Sequence, residues 1–186
     1  MKIENVAVYG LEESVRRSKY PMAVDAKKCT SDITARTVSL GSCPTGTAHD
    51  QFLTGVIVQF DITGTLKWWT EAQRYHWFEF VSSQSTMHRI AKFNPEEQCN
   101  EYVHPFLISM LNALVEEYNE DPTQEKYLTV LYNIPTGFQL TAGMTTNYRQ
   151  LKTMYQQRKT HRLKEWRDFC DWCETLPHFM ELCFNK

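Results

Sequence analysis

Prolines set the outer limits of what this chain can fold into. Pro21, Pro95, Pro105, Pro122, Pro135 and Pro177 divide it into segments. None sits well inside a continuous helix or a central strand, because the ring removes an amide donor and crowds the preceding turn. Leu11 to Lys19 reads as a helix stopped by Pro21. Pro95 opens a long acidic helical stretch, Glu96 to Glu120, which Pro105 kinks or divides. Pro122 starts another helix, with apolar Tyr127, Leu128, Leu131 and Tyr132, and Pro135 breaks it. A last helix from Arg162 to Leu176 ends before Pro177, which sets off a short tail.

Between these limits, strands are read from β-branched runs. Asn5 to Tyr9 predicts a short strand, and Phe52 to Ile62 a buried one. Thr63-Gly64-Thr65 ends the second strand and caps a helix over Leu66 to Phe80, with Trp69, Ala72, Gln73 and His76 on one side. Ser82 to Ile90 reads as a second strand or an extended loop. Lys28 to Gly46, rich in Thr, Ser, Gly and Cys, reads as mostly irregular. Gly137 to Gly143 reads as a short extended connection, and Thr146 is placed to N-cap a helix over Asn147 to Arg158. The class is α+β, a few strands surrounded by long helices. A length of 186 residues fits one domain, 1–186, with a sizeable core.

A net charge of −2 argues against a partner such as a long nucleic acid, which calls for a basic excess. The charge is unevenly placed. Acids dominate from Glu96 to Glu125. Bases dominate from Arg149 to Arg167, where Arg149, Lys152, Arg158, Lys159, Arg162, Lys164 and Arg167 oppose Glu165 alone. Two readings stand: solvated helix faces of opposite sign, or an anion site on the basic face. Asn147, Leu151, Met154 and Arg158 share one helix face, and Arg149 lies on another flank. The planar donor fork of arginine suits phosphate or carboxylate.

Six cysteines are present, and Met1-Lys2-Ile3-Glu4 is not followed by a long apolar run. Reduced thiols in the cytoplasm are the expectation. Cys170 and Cys173 have CxxC spacing without a second such pair, so no metal site is expected, and with Phe169 they read as helix core. No apolar run approaches the ~20 residues that cross a bilayer, so no membrane partner is expected.

Three polar clusters could carry chemistry. In Arg74-Tyr75-His76, His76 is a general base, a cofactor contact, or a hydrogen-bonded core histidine near Trp68, Trp69 and Trp77. Ser82-Ser83-Gln84-Ser85-Thr86, followed by His88-Arg89, is a row of donors for a phosphate or a base edge, or a polar strand edge. The third cluster runs from Asn147 to His161. No nucleophile elbow, GxGxxG, Walker or zinc-protease motif occurs. With no evident nucleophile, difficult chemistry would fall to a bound cofactor.

Taken together, these clusters resemble the flavin-dependent thymidylate synthases, over most of the chain and in the family's order. Ala35-Arg36-Thr37-Val38-Ser39 is similar to the early Ala-Arg-x-Ser element with one residue inserted, and His49 to the histidine of the Glu-His element. Arg74-Tyr75-His76 stands where the family has Arg-His-Arg, and Ser82 to Arg89 where that signature continues to Ser-x-Arg-Tyr. Ile134-Pro135 resembles the family's Leu-Pro. Asn147, Arg149 and Arg158 match Asn-x-Arg with an arginine nine residues beyond, and His161 stands near the family's flavin-contacting histidine. Met87 and Leu131 occupy positions where the family has arginines that hold the nucleotide.

The resemblance implies a small twisted antiparallel sheet among the helices and a homotetramer with active sites at subunit junctions. It implies FAD, reduced by NADPH, as hydride source, methylenetetrahydrofolate as carbon donor and C5 of dUMP as acceptor. Arg158, Arg74 and His76 would be catalytic. Ser39, His49, Arg74, His76, Asn147, Arg149, Arg158 and His161 would hold the cofactor. Gln73, Gln84, Ser85 and Arg158 would line the pocket of the pyrimidine deoxynucleotide, with Arg89 a replacement phosphate ligand. The changes at Met87 and Leu131 motivate a variant acting on dCMP or transferring a hydroxymethyl group. The broken Arg-His-Arg signature motivates a sensor or decoy that binds nucleotide or flavin without catalysis. A helical interaction module, docking its basic face on an acidic partner, is the plain alternative.

Overall fold

The computed structural model describes all 186 residues. Four strands, β1 (Lys2–Tyr9), β2 (Ile57–Thr65), β3 (Glu79–Ser83) and β4 (Gln139–Asn147), form one antiparallel sheet in the order β1-β2-β4-β3. Alternation orients its central pair. Val58, Phe60 and Ile62 of β2 are buried opposite Thr146, Met144 and Ala142 of β4, so one face of both strands lines the core.

Helices surround the sheet: α1 (Leu11–Ser18), α2 (Ala35–Gly41), α3 (Leu66–Ala72), α4 (Thr86–Arg89), α5 (Pro95–Gln98), α6 (Pro105–Glu120), α7 (Gln124–Tyr132), α8 (Tyr148–Arg158), α9 (Lys164–Glu174) and α10 (Phe179–Phe184). The prolines act as expected. Pro95 and Pro105 each begin a helix, where the missing amide donor costs nothing. Thr123, just after Pro122, caps α7 by accepting from Lys126 N. The main core joins the buried sheet face to α3, α8, α9 and α10 through Trp68, Trp166, Phe169, Tyr148 and Phe179. A smaller cluster of Ile90, Leu111, Val115, Val130 and Phe138 lies under α6 and α7. No helix is long and apolar enough to cross a membrane.

Several local expectations are corrected. The strand expected from Phe52 begins only at Ile57, after a 3-10 turn over Gln51–Gly55. Leu53 and Val56 are both buried at a spacing of three, which a turn satisfies and a strand cannot. The helix expected to reach Phe80 stops at Ala72. Trp69 and Ala72 are buried, but Gln73 and His76 are exposed, so the apolar face runs out. Phe78 then enters the core against Trp68 and Phe169, and Glu79–Ser83 pairs with the open edge of β4. The connection expected over Gly137 to Gly143 belongs largely to β4, a central strand held by ladders on both sides. Small residues such as Ala142 and Gly143 carry little strand signal of their own.

The stretch Lys28 to Gly46 contains α2, which a capping box between Thr34 and Thr37 starts. Gly41 ends α2 against α10, where a Cβ would run into the Leu182 carbonyl. The expected tail after Pro177 is therefore core: Phe179, Leu182 and Cys183 are buried. Phe169, Cys170 and Cys173 are core, as read from the sequence.

Candidate functional site at the two ends of helix α8

The chain passes from β4 into α8 at Asn147. Its Oδ1 accepts from Gln150 N at 2.9 Å and caps the helix. Thr146, expected in that role, points inward because of strand alternation, and its hydroxyl donates to the Trp77 carbonyl at 2.7 Å. In the first turn of α8, Arg149 Nε donates to Asp50 Oδ1 at 2.9 Å and Nη1 to Gln51 Oε1 at 2.8 Å. Asp50 is fully buried, and its Oδ2 accepts from Lys152 Nζ at 3.0 Å. Lys152 also donates to the carbonyls of Gly41 at 2.8 Å and Cys43 at 2.6 Å. It thereby ties the loop after α2 to α8.

Asn147, Arg149, Gln150 and Thr153 of this segment, with Thr45, Gln51, Thr54, Ile57 and Trp77, line a cavity of ≈ 490 Å³. Trp77 is 60% exposed, so an indole face is available on its wall. Gln51 also lines a second cavity of ≈ 510 Å³, where His49 sits with Arg17, Arg36, Leu40 and Phe52. Ser39 is exposed on α2 and lines neither cavity.

The other end of α8 is closed. Arg158 Nε donates to the Tyr75 hydroxyl at 2.8 Å, and Nη1 reaches Glu71 Oε2 at 3.3 Å. Glu71 also accepts from Trp166 Nε1 at 3.0 Å and Lys67 Nζ at 2.9 Å, with His161 Nε2 3.6 Å away. Burial works to raise the Glu71 pKa. The hydrogen bonds from Lys67 and Trp166 and the charge of Lys67 outweigh it, so the carboxyl stays below the usual range. His161 Nδ1 accepts from Leu163 N at 3.1 Å. Arg158 is left 18% exposed.

The remaining expected residues lie around the outer strand. Gln73, Arg74 and His76 are exposed in the turn between α3 and β3. The His76 ring meets Trp77 edge-on at 4.7 Å. Gln84 prolongs the β3–β4 ladder, since its N donates to Thr141 O at 2.9 Å and its Oε1 accepts from Thr141 N at 2.8 Å. Ser85 occupies the N-cap of α4 without a side-chain bond, and Arg89 is exposed in the last turn. The structure thus groups Asn147 with Arg149, and Arg158 with His161, at opposite ends of α8. It adds Asp50, Gln51, Trp77 and Lys152 at the open end, and Glu71 and Trp166 at the closed end. Sequence reading missed these because their partners are remote: Lys152 lies 102 residues from Asp50, and Trp166 lies 95 from Glu71.

Nucleophiles are scarce. Burial, with Asp171 nearby, pushes the Cys170 thiol up to about 12, and Cys173 and Cys183 are raised by the same burial. None offers a thiolate at neutral pH. No group of three or more His, Cys, Asp or Glu is placed to hold a metal.

The architecture is that of the flavin-dependent thymidylate synthases. A crystal structure of thymidylate synthase X from Helicobacter pylori with FAD and dUMP matches over 99% of this chain and 97% of that one. The TM-score is 0.78 at 16% sequence identity. A second structure of the flavin-dependent enzyme from the same organism, again with FAD and dUMP, matches over 99% and 98%, with TM-score 0.74 and 14% identity. No family model matches the sequence, and no curated protein does.

Proposed function

We propose that this chain uses FAD to transfer one carbon from methylenetetrahydrofolate to C5 of dUMP or a related pyrimidine deoxynucleotide. The observation that carries this reading is the cavity at the start of α8, in a fold shared end to end with proteins crystallised with FAD and dUMP. The residues there suit a flavin. The Trp77 indole offers a face for a planar ring. Gln51, Gln150 and Thr153 offer donors and acceptors to a heteroaromatic edge. Arg149 offers the N–H groups that Asp50 and Gln51 leave free. A volume of ≈ 490 Å³ lies within the roughly 300–1,000 Å³ typical of small-molecule sites.

When bound, FAD supplies a hydride, drawn originally from NADPH, that brings the transferred carbon to a methyl group. The protein's contribution is positioning and electrostatics. Asn147, Arg149, Arg74, His76 and His161 serve the flavin. Gln73, Gln84 and Ser85 serve the nucleotide, with Arg89 as phosphate ligand. Arg158, held by Glu71 and Tyr75, is the residue assigned to the boundary of the two ligands, which it reaches on release from that pair. The buried, protonated thiols agree with a reaction in which no side chain attacks the pyrimidine. Ser39 and His49 also serve the flavin, in a cytoplasmic homotetramer with active sites at subunit junctions.

A second reading has its own support. Arg158 is engaged by Glu71, Tyr75 and Trp166, which favours a homologue that binds flavin or nucleotide without catalysis. One experiment separates the two. The purified protein is examined for flavin absorbance, then incubated with NADPH, labelled methylenetetrahydrofolate and either dUMP or dCMP. Label in one nucleotide supports catalysis and names the base. Bound flavin with label in neither leaves the binding protein, and no flavin uptake with no label ends both flavin readings.

A further inference from the structure

A carboxylate shielded from water is costly unless its charge is matched and its oxygens are hydrogen-bonded. Asp50 has 0% exposure and divides its oxygens between two cations. Lys152, at 1% exposure, spends its three donors on Asp50 Oδ2 and on the carbonyls of Gly41 and Cys43, so every ammonium hydrogen is accounted for. Lys152 alone could neutralise Asp50. The second oxygen is instead given to Arg149 Nε at 2.9 Å, while Gln51 takes Nη1 at 2.8 Å. Two donors on opposite sides of a rigid planar group are thereby pinned, which fixes the plane of the guanidinium. Nη2 has no partner in the chain. The side chain is 29% exposed and lines the ≈ 490 Å³ cavity. Two cations against one carboxylate also leave this wall with an excess positive charge.

We propose that Asp50 is a positioning residue: it fixes the Arg149 guanidinium so that its free Nη2 edge is presented to an acceptor-rich or anionic edge of the ligand. Lys152 makes the buried anchor possible. This rests on the flavin reading of the cavity and extends it by naming what orients the arginine before any ligand arrives. Pre-orientation spares the ligand the entropy of ordering a long, mobile side chain.

The test is a double-mutant cycle on FAD affinity, read by quenching of flavin fluorescence. Asp50→Asn should weaken FAD at least tenfold in the wild-type background and have no further effect beside Arg149→Ala. Equal weakening in both backgrounds would overturn the proposal. Because Asp50→Asn strands a buried ammonium and is destabilised for that reason alone, Asp50→Asn with Lys152→Met removes both buried charges together. This pair should keep a cooperative unfolding transition yet show the same tenfold loss. Unchanged FAD affinity there would also overturn the role.

The Arg149 Nε–H resonance of the ligand-free protein supplies a readout independent of FAD. It should exchange slowly in the wild type and merge with the averaged arginine signals in the paired variant. Wild-type protein that takes up no FAD defeats the flavin reading, while this resonance still decides whether Asp50 fixes Arg149. A resonance that persists in the paired variant refutes the fixing.

Discussion

The guanidinium of Arg158 lies 4.6 Å from the centre of the Trp166 ring, and the same indole donates its Nε1–H to Glu71, the ion-pair partner of Arg158. The arginine, the indole and the carboxylate form one closed unit. The cation meets a ring face and a carboxylate at once, away from most of the solvent, where such contacts are strongest.

Glu71→Gln removes the negative charge that holds Arg158. The variant should bind dUMP more tightly than the wild type in low salt, because the guanidinium gains freedom to meet the phosphate or base. Its thermal midpoint should fall by a few degrees, consistent with about 1–2 kcal/mol for a charge-assisted contact. Calorimetric titration with dUMP and a thermal melt check both. Weaker dUMP binding with an unchanged melt would contradict the closed unit.

Trp77→Ala tests the cavity wall. The indole is largely exposed, so little stability should be lost, while FAD affinity should fall about fivefold to tenfold, in line with about 1 kcal/mol for aromatic stacking. Fluorescence titration and urea unfolding separate the two effects.

Thr65→Val should be costly. Thr65 ends β2 and caps α3, since its Oγ1 accepts from Trp68 N at 3.1 Å. The hydroxyl also donates to Glu165 Oε2 at 2.8 Å. Valine removes the cap and deprives a buried carboxylate of a donor, so about 2–4 kcal/mol of stability should be lost. Urea unfolding measures it. Lys67→Met, at an exposed side chain nearby, should cost under about 1 kcal/mol.

Stability should decline at both ends of the pH scale. Cys170 is pushed up to about 12, from an ordinary value of 9.0, and Cys173 and Cys183 are raised as well. Between those values the folded state binds more protons than the unfolded state. The thiol contribution is therefore complete below about pH 9 and is lost as pH rises toward 12. Glu71 is lowered, so its contribution is present above the ordinary carboxylate range and is lost as pH falls through its folded value. Urea midpoints measured from pH 3 to 10.5 should trace both declines. At pH 8 a thiol reagent should reach Cys170, Cys173 and Cys183 only after unfolding.

Local stereochemistry explains what could be read in advance. A proline forbids the same things wherever it stands, so Pro95 marked a helix start, Pro105 a division of the helical stretch after it, and Pro122 and Pro135 the limits of α7. The helical spacing of Asn147, Leu151, Met154 and Arg158 placed α8, because spacing along one helix is set by residues close in sequence. Expectations failed where distant partners decide. The sequence from Leu66 to Phe80 has helical periodicity, but the free edge of β4 takes Glu79–Ser83 into a strand. Gly137 to Gly143 looks like a connection until β2 and β3 flank it.

The candidate site divides in the same way. The sequence by itself determined that one helix would carry Asn147, Arg149 and Arg158, since spacing along a helix is a local property. Only the tertiary structure decided that Arg149 would open on a cavity while Arg158 would be enclosed. That difference depends on Asp50, Gln51 and Trp77 at one end and Glu71, Tyr75 and Trp166 at the other, brought to β4 and α8 across 69 to 99 residues of chain, Trp166 excepted. Charge and hydrogen bonding act over a few ångströms, so which partners meet is settled by packing and not by order along the chain.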